Sequence, residues 1–153
     1  MRLVSTATYR NARGFSLAEV AATSFLVMVL AIFTAEIAVL IFACSVNDKA
    51  CRDVVRAAAQ QPTAAQALTF AQAAVKQIST DGVFISPIQL GAVNYQDFGG
   101  NPPPGMCPYV QCTTKVNVTL PVPIFFFGAS FTNQFSFSQI YTSPIIKTKF
   151  ILP

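Results

Sequence analysis

The chain begins polar and basic (MRLVSTATYRNARG, residues 1–14) and then turns apolar almost without a break from Phe15 to Val46. Glu19 and Glu36 are the only charges in those 32 residues, and no Gly or Pro interrupts them. As a helix the run would extend about 48 Å, whereas a bilayer core needs only about 20 residues. It can therefore cross a membrane and continue beyond it. The next stretch, SVNDKACRDVVRAAA (45–59), is amphipathic. Its Asp48–Arg52 and Lys49–Asp53 pairs fall at i,i+4, a spacing that supports a solvated helix. The pattern predicts one helix from about residue 16 to residue 60, hydrophobic first and amphipathic later.

Pro62 suits the first turn of a second, Ala-rich helix. Ala64, Leu68, Ala71, Val75 and Ile78 would form its apolar stripe, and Asp81-Gly82 its end. After Gly82 helical periodicity gives way to β-branched and aromatic residues. Val116, Val118 and Leu120 alternate with polar residues, as do Phe135 and Phe137, which predicts strands. GGNPPPGMCP (99–108) is an exposed loop. The expected fold class is α+β: a long N-terminal hydrophobic helix, a second Ala-rich helix and a small antiparallel sheet of three to five strands.

Composition sharpens this picture. Hydrophobic residues make up 53% and charged residues 10% of the chain, against about 25% charged in ordinary soluble domains. The apolar excess belongs in a membrane or an assembly interface. The net charge of +4 comes largely from Arg2, Arg10 and Arg13; without residues 1–14 the rest carries seven basic and six acidic side chains. No basic patch is left to hold phosphates, so nucleic acid is not an expected partner. The chain has no His, which excludes a Ser-His-Asp triad and any His metal site. There is no phosphate-cradling loop, and the triplet NVT (117–119) is a glycosylation sequon of a kind common by chance. No enzyme constellation emerges, and no cofactor is expected.

The N-terminal segment admits four readings. A secretory signal peptide has an apolar stretch of roughly 7–15 residues; this one is twice too long and contains two glutamates. A lipoprotein signal ending LIFAC, with Cys44 acylated, fits Ala43 but suits bulky Phe42 poorly and lies far from Met1. A plain single-pass anchor explains the apolar run and its arginine flank, but it leaves Glu19 uncompensated. A carboxylate costs roughly 2.5–3.5 kcal/mol at the centre of a membrane helix, less near the interface.

The fourth reading accounts for Glu19. The stretch RG–FSLAEV (13–20) resembles the processing site of prepilins: a short basic leader ending in Gly, then Phe, with Glu at the fifth mature position. The resemblance implies that a membrane prepilin peptidase cuts between Gly14 and Phe15 and usually methylates the new amine. Glu19 would then pair with that amine, its own or a neighbour's, and set subunit register in a filament. Residues 15–80 are also similar to tight-adherence (TadE-like) minor pilins, with a second glutamate, Glu36, followed by NDKACRDVVRAAAQ and an Ala-rich helix. Glu36 lies 17 positions after Glu19, about 25 Å along the axis. It is either a carboxylate emerging near the opposite headgroup region or a second subunit-contact residue.

The expected organisation is a leader (1–14), a transmembrane and assembly helix (15–46), an amphipathic helical part (47–81) and a small β region (82–153). The implied partners are the membrane before assembly, the peptidase, an inner-membrane assembly platform, and copies of the chain or other pilins. The implied location is the bacterial inner membrane with a cytoplasmic N-terminus, then a surface filament. The competing class is a membrane-anchored or lipidated periplasmic module.

The four cysteines bear on compartment. Cys44 and Cys51 are seven positions apart, about 10 Å along a helix, beyond the roughly 7 Å limit of a disulfide. Cys107 and Cys112 flank PYVQ in what reads as a loop or hairpin, so a local Cys107–Cys112 disulfide is predicted, in an oxidising compartment. A four-cysteine zinc site would need knuckle-like spacing that these positions lack. The aromatic run Phe125-Phe126-Phe127, with Phe131, Phe135 and Phe137, reads as core or buried interface.

Overall fold

The computed structural model describes residues 8–121, 125–126, 129–130 and 133–146. The layout is α+β: a long apolar N-terminal helix, a short second helix and a small antiparallel sheet. By contacts the chain divides into two units, Met1–Ala38 and Val39–Pro153. The first helix, α1 (Thr8–Ala59), has 52 residues. It persists because nothing after Gly14 breaks it until Pro62, which cannot donate an amide to a helix interior. Its last three carbonyls accept hydrogen bonds from beyond the helix. Gln61 Nε2 donates to Ala57 O, Gln61 N to Ala58 O, and Ile146 N to Ala59 O. Arg56 in the last turn complements the helix dipole.

The second helix, α2 (Ala64–Lys76), differs from expectation at both ends and in its buried face. Thr63, extended, is the N-cap and accepts the Gln66 amide at 3.3 Å, so Pro62 precedes the cap instead of occupying the first turn. The helix stops at Lys76, short of Asp81-Gly82. Asp81 instead accepts the amides of Val83 (3.2 Å) and Ile85 (2.8 Å), and Gly82 sits at φ +69°, so this pair builds the turn into the sheet. The buried face runs through Ala67 and Ala71, with Ala74 and Val75 partly covered, while Leu68 is 43% exposed. Small alanines let α2 pack closely on Ala58 and Ala59 of α1, where leucine would not fit.

Among the described residues five strands follow: β1 (Gln89–Gln96), β2 (Tyr109–Thr119), β3 (Phe125–Phe126), β4 (Ala129–Ser130) and β5 (Gln134–Pro144). The main sheet has the order β1-β2-β5, antiparallel throughout, and β3-β4 form a separate two-residue ladder. Gly91 lies in an irregularity of the β1–β2 register, where a Cβ would meet the Thr113 carbonyl at 3.3 Å. β2 is central, and its inward residues Val110, Cys112, Thr114, Val116 and Val118 are all buried. Val110 and Cys112 share one core cluster with Val54, Val55 and Ala58 of α1, and Val116 and Val118 share another with Ala43 and Ala50. Phe135 and Phe137 are half-buried; the side chains of Phe125, Phe126, Phe127 and Phe131 lie outside the described residues.

The revised α2 face is testable by denaturant unfolding of the full chain in detergent. Ala71→Leu should destabilise by about 1–3 kcal/mol through overpacking, and Leu68→Ala by no more than about 0.5 kcal/mol. Comparable losses at the two sites would restore the stripe through Leu68.

Candidate functional site

Two sets of residues carry chemistry, and each is described within its own unit. The first lies on residues 8–38. The Gly14–Phe15 bond falls inside α1, because the helix already begins at Thr8. Gly14 is the weak point of that turn, costing about 1 kcal/mol of helix stability relative to alanine. Glu19 is exposed, and among the described residues no cation pairs with its carboxylate. The apolar side chains around it are exposed as well, among them Leu17, Val20, Phe25 and Leu26. Two of the hydroxyls in this stretch are satisfied along the helix. The Thr23 and Thr34 hydroxyls donate to the carbonyls of Glu19 and Leu30, each at 2.7 Å. Over Ser16–Ala59 the best window has mean hydropathy 2.7, so the helix is long and apolar enough to cross a membrane. Among residues 16–38 the one buried side chain is Glu36, at 4% exposure. Its carboxylate is thus withdrawn from the surface, unlike that of Glu19.

The second set is a polar seam between α1 and the sheet. Thr114 Oγ1 donates to Asn47 Oδ1 at 2.9 Å, and Asn47 Nδ2 donates to the Phe137 carbonyl at 3.3 Å. One turn on, Cys51 Sγ lies 3.4 Å from the carbonyl oxygens of both Cys112 and Gln139. Tyr141 OH donates to Asp48 Oδ1 at 2.6 Å, and Arg52 bridges Asp48 at 2.8 Å. Arg52 also lies 5.1 Å above the Tyr141 ring, a cation–π contact. Every buried polar atom in this seam is satisfied, which makes it a specific lock for the helix on the sheet.

The Asp48–Arg52 pair forms as its spacing predicts, but no bridge joins Lys49 and Asp53 among the described residues. The predicted Cys107–Cys112 disulfide is not formed; all four cysteines are free. The reason is local conformation. β2 already starts at Tyr109, so PYVQ is largely strand, not hairpin, and Tyr109 to Cys112 spans roughly 10 Å of extended backbone. Cys107 stays exposed in the preceding loop, Cys112 points into the core, and Cys44 is partly buried on α1. Burial, and then the neighbouring Cys51, push the Cys112 thiol up to about 11. Among the described residues no three His, Cys, Asp or Glu side chains come together as a metal site.

The sequence reading missed Asn47, Cys51, Thr114 and Tyr141 as a cooperating group. Part of the signal was present: Cys112 and Thr114 alternate in step with Val110, Val116 and Val118. Nothing local couples them to α1. No family model, curated protein or solved structure matches the chain.

The Cys112 thiol gives a pH prediction for the reduced protein. The folded state holds this proton more tightly than the unfolded chain does. Its stabilising contribution is therefore complete below pH 9.0 and disappears as pH rises through about 11. Thermal unfolding in reductant should show a fall over that window that is smaller in Cys112→Ala. Identical slopes in the two proteins would place the thiol in an ordinary environment.

Proposed function

We propose that this chain is a prepilin-like subunit. It is cut between Gly14 and Phe15 by a prepilin peptidase and then assembles, helix inward, into a type IV-like filament of the tight-adherence kind. The observation that carries this is an exposed carboxylate, Glu19, unpaired among the described residues, in an exposed apolar helix and at the fifth position after the proposed cut.

The physical chemistry of the cut supports the assignment. In the uncut chain Glu19 sits eleven residues past the start of α1 at Thr8, too far in to feel the positive end of the helix dipole, which fades within the first turn. Cleavage moves the helix start to Phe15. Glu19 is then near that positive end, worth about 0.3–1 kcal/mol, and close to a new cationic amine. A costly group becomes a partnered one only after processing. The small residues Ala18, Ala22, Ala31 and Ala35, in pairs four apart, let neighbouring helices approach closely. Arg2, Arg10 and Arg13 favour a cytoplasmic N-terminus for the precursor in the inner membrane. The partners would be copies of the chain or other pilins and a membrane assembly platform, and the final location a surface filament. Glu19, exposed where Glu36 is buried, is the better placed of the two glutamates for the register role.

The test is Glu19→Ala in the native host. The precursor should still be shortened at Gly14, while sheared filament material falls by roughly 10-fold or more, the scale of one charge-assisted contact. Undiminished filaments, or a chain indifferent to the substitution, would favour a membrane-anchored module instead.

A further inference from the structure

We propose that Cys51 and Cys112 are a disulfide pair that staples α1 to the central strand of the sheet. Both side chains are fully buried where α1 meets β2. Cys51 Sγ is 3.4 Å from the backbone oxygen of Cys112, an approach allowed by the small neighbours Ala43, Ala50 and Ala58 on the same side of α1. The bond requires the Cys51 sulfur to turn from the Cys112 carbonyl oxygen to the Cys112 sulfur, with the two Cα atoms within about 7 Å. The adjacent rung, Asn47 with Thr114, holds the two elements in register and so aims one thiol at the other.

The other cysteines do not compete. Cys44 is two helical turns from Cys51, and Cys107 is exposed in the loop before β2. Oxidation is a thiol–disulfide exchange with an external disulfide, small-molecule or protein-borne. That disulfide's S–S bond breaks, the Cys51–Cys112 S–S bond forms, and the two thiol protons and both electrons leave on the external pair as two thiols. Complete burial sets the order of events: the exchange happens while the sheet is still closing on α1, and the bond is afterwards shielded from reductant. The residues are 61 positions apart in sequence, so the bond restricts a large loop in the unfolded chain. That the bond forms in cells rests on the exported location proposed above; the pairing itself does not.

The experiment refolds the full chain in detergent with oxidised glutathione and digests it, unreduced, with trypsin and chymotrypsin. Cuts at Lys49, Arg52, Tyr109 and Lys115 isolate Cys51 and Cys112 on separate peptides and leave Cys107 on another. The expected result is one linked species joining Ala50–Arg52 to Val110–Lys115, with a melting temperature about 10 °C or more above that of the reduced chain. Cys107→Ser should keep both the link and the shift, and Cys112→Ser should lose both. Free, alkylatable Cys51 and Cys112 in the refolded wild-type chain, or a link through Cys107, would overturn the pairing. If the link forms on refolding but the thiols are free in cell-derived material alkylated at lysis, the pairing stands and the exported location falls.

Discussion

The register between one helix and one strand governs the Val39–Pro153 unit. Four residues of α-helix rise about 6.0 Å, and two residues of strand about 6.7 Å. The repeats are close enough to stay in step over a few rungs. Asn47 meets Thr114 and Cys51 meets the Cys112 backbone in that order, while Ala43 shares a core cluster with Val116 and Val54 shares one with Val110. A slip of one strand residue would turn every inward side chain of β2 to the other face. The Asn47–Thr114 hydrogen bond opposes such a slip, because it would leave buried polar atoms unpaired. β5 is tied in through the same polar residues, by Phe137, Gln139 and Tyr141.

The same helix carries two kinds of surface. From Ala43 onward its buried positions follow a stripe with polar residues between them, as expected of a helix packed on one side. From Ser16 to Phe42 it is predominantly apolar around its circumference and mostly exposed, with Glu36 buried and Glu19 exposed. Such a surface requires lipid or other helices around it. The proposed structural role uses this exposed helix as its working surface, with Glu19 as the residue that carries the assignment.

Much of this was legible in the sequence. The absence of Gly and Pro between Phe15 and Gln61 made α1 one element, and the alternation at Val116–Leu120 and Phe135–Phe137 marked β2 and β5. The misses have physical causes. In an Ala-rich helix the faces differ little in hydrophobicity, so α2's buried side was decided by how closely Ala67 and Ala71 approach α1, a tertiary property. The start of β2 was obscured by Pro108 and the preceding GGNPPPG, which drew Tyr109–Gln111 into the loop reading. That error produced the Cys107–Cys112 pairing as well. The seam of Asn47, Cys51, Thr114 and Tyr141 joins residues that lie 61 to 93 positions apart in hydrogen-bonded pairs. No local periodicity encodes such partners. Glu19 was found because its cost in an apolar helix is a local quantity, readable without the fold.

The measurement that bears most directly on the prepilin assignment is the intact mass and N-terminal residue of the protein from native membranes and sheared surface material. The account predicts a chain beginning at Phe15, with a methyl group on its amine. A chain still beginning at Met1, or one beginning at an acylated Cys44, would contradict it.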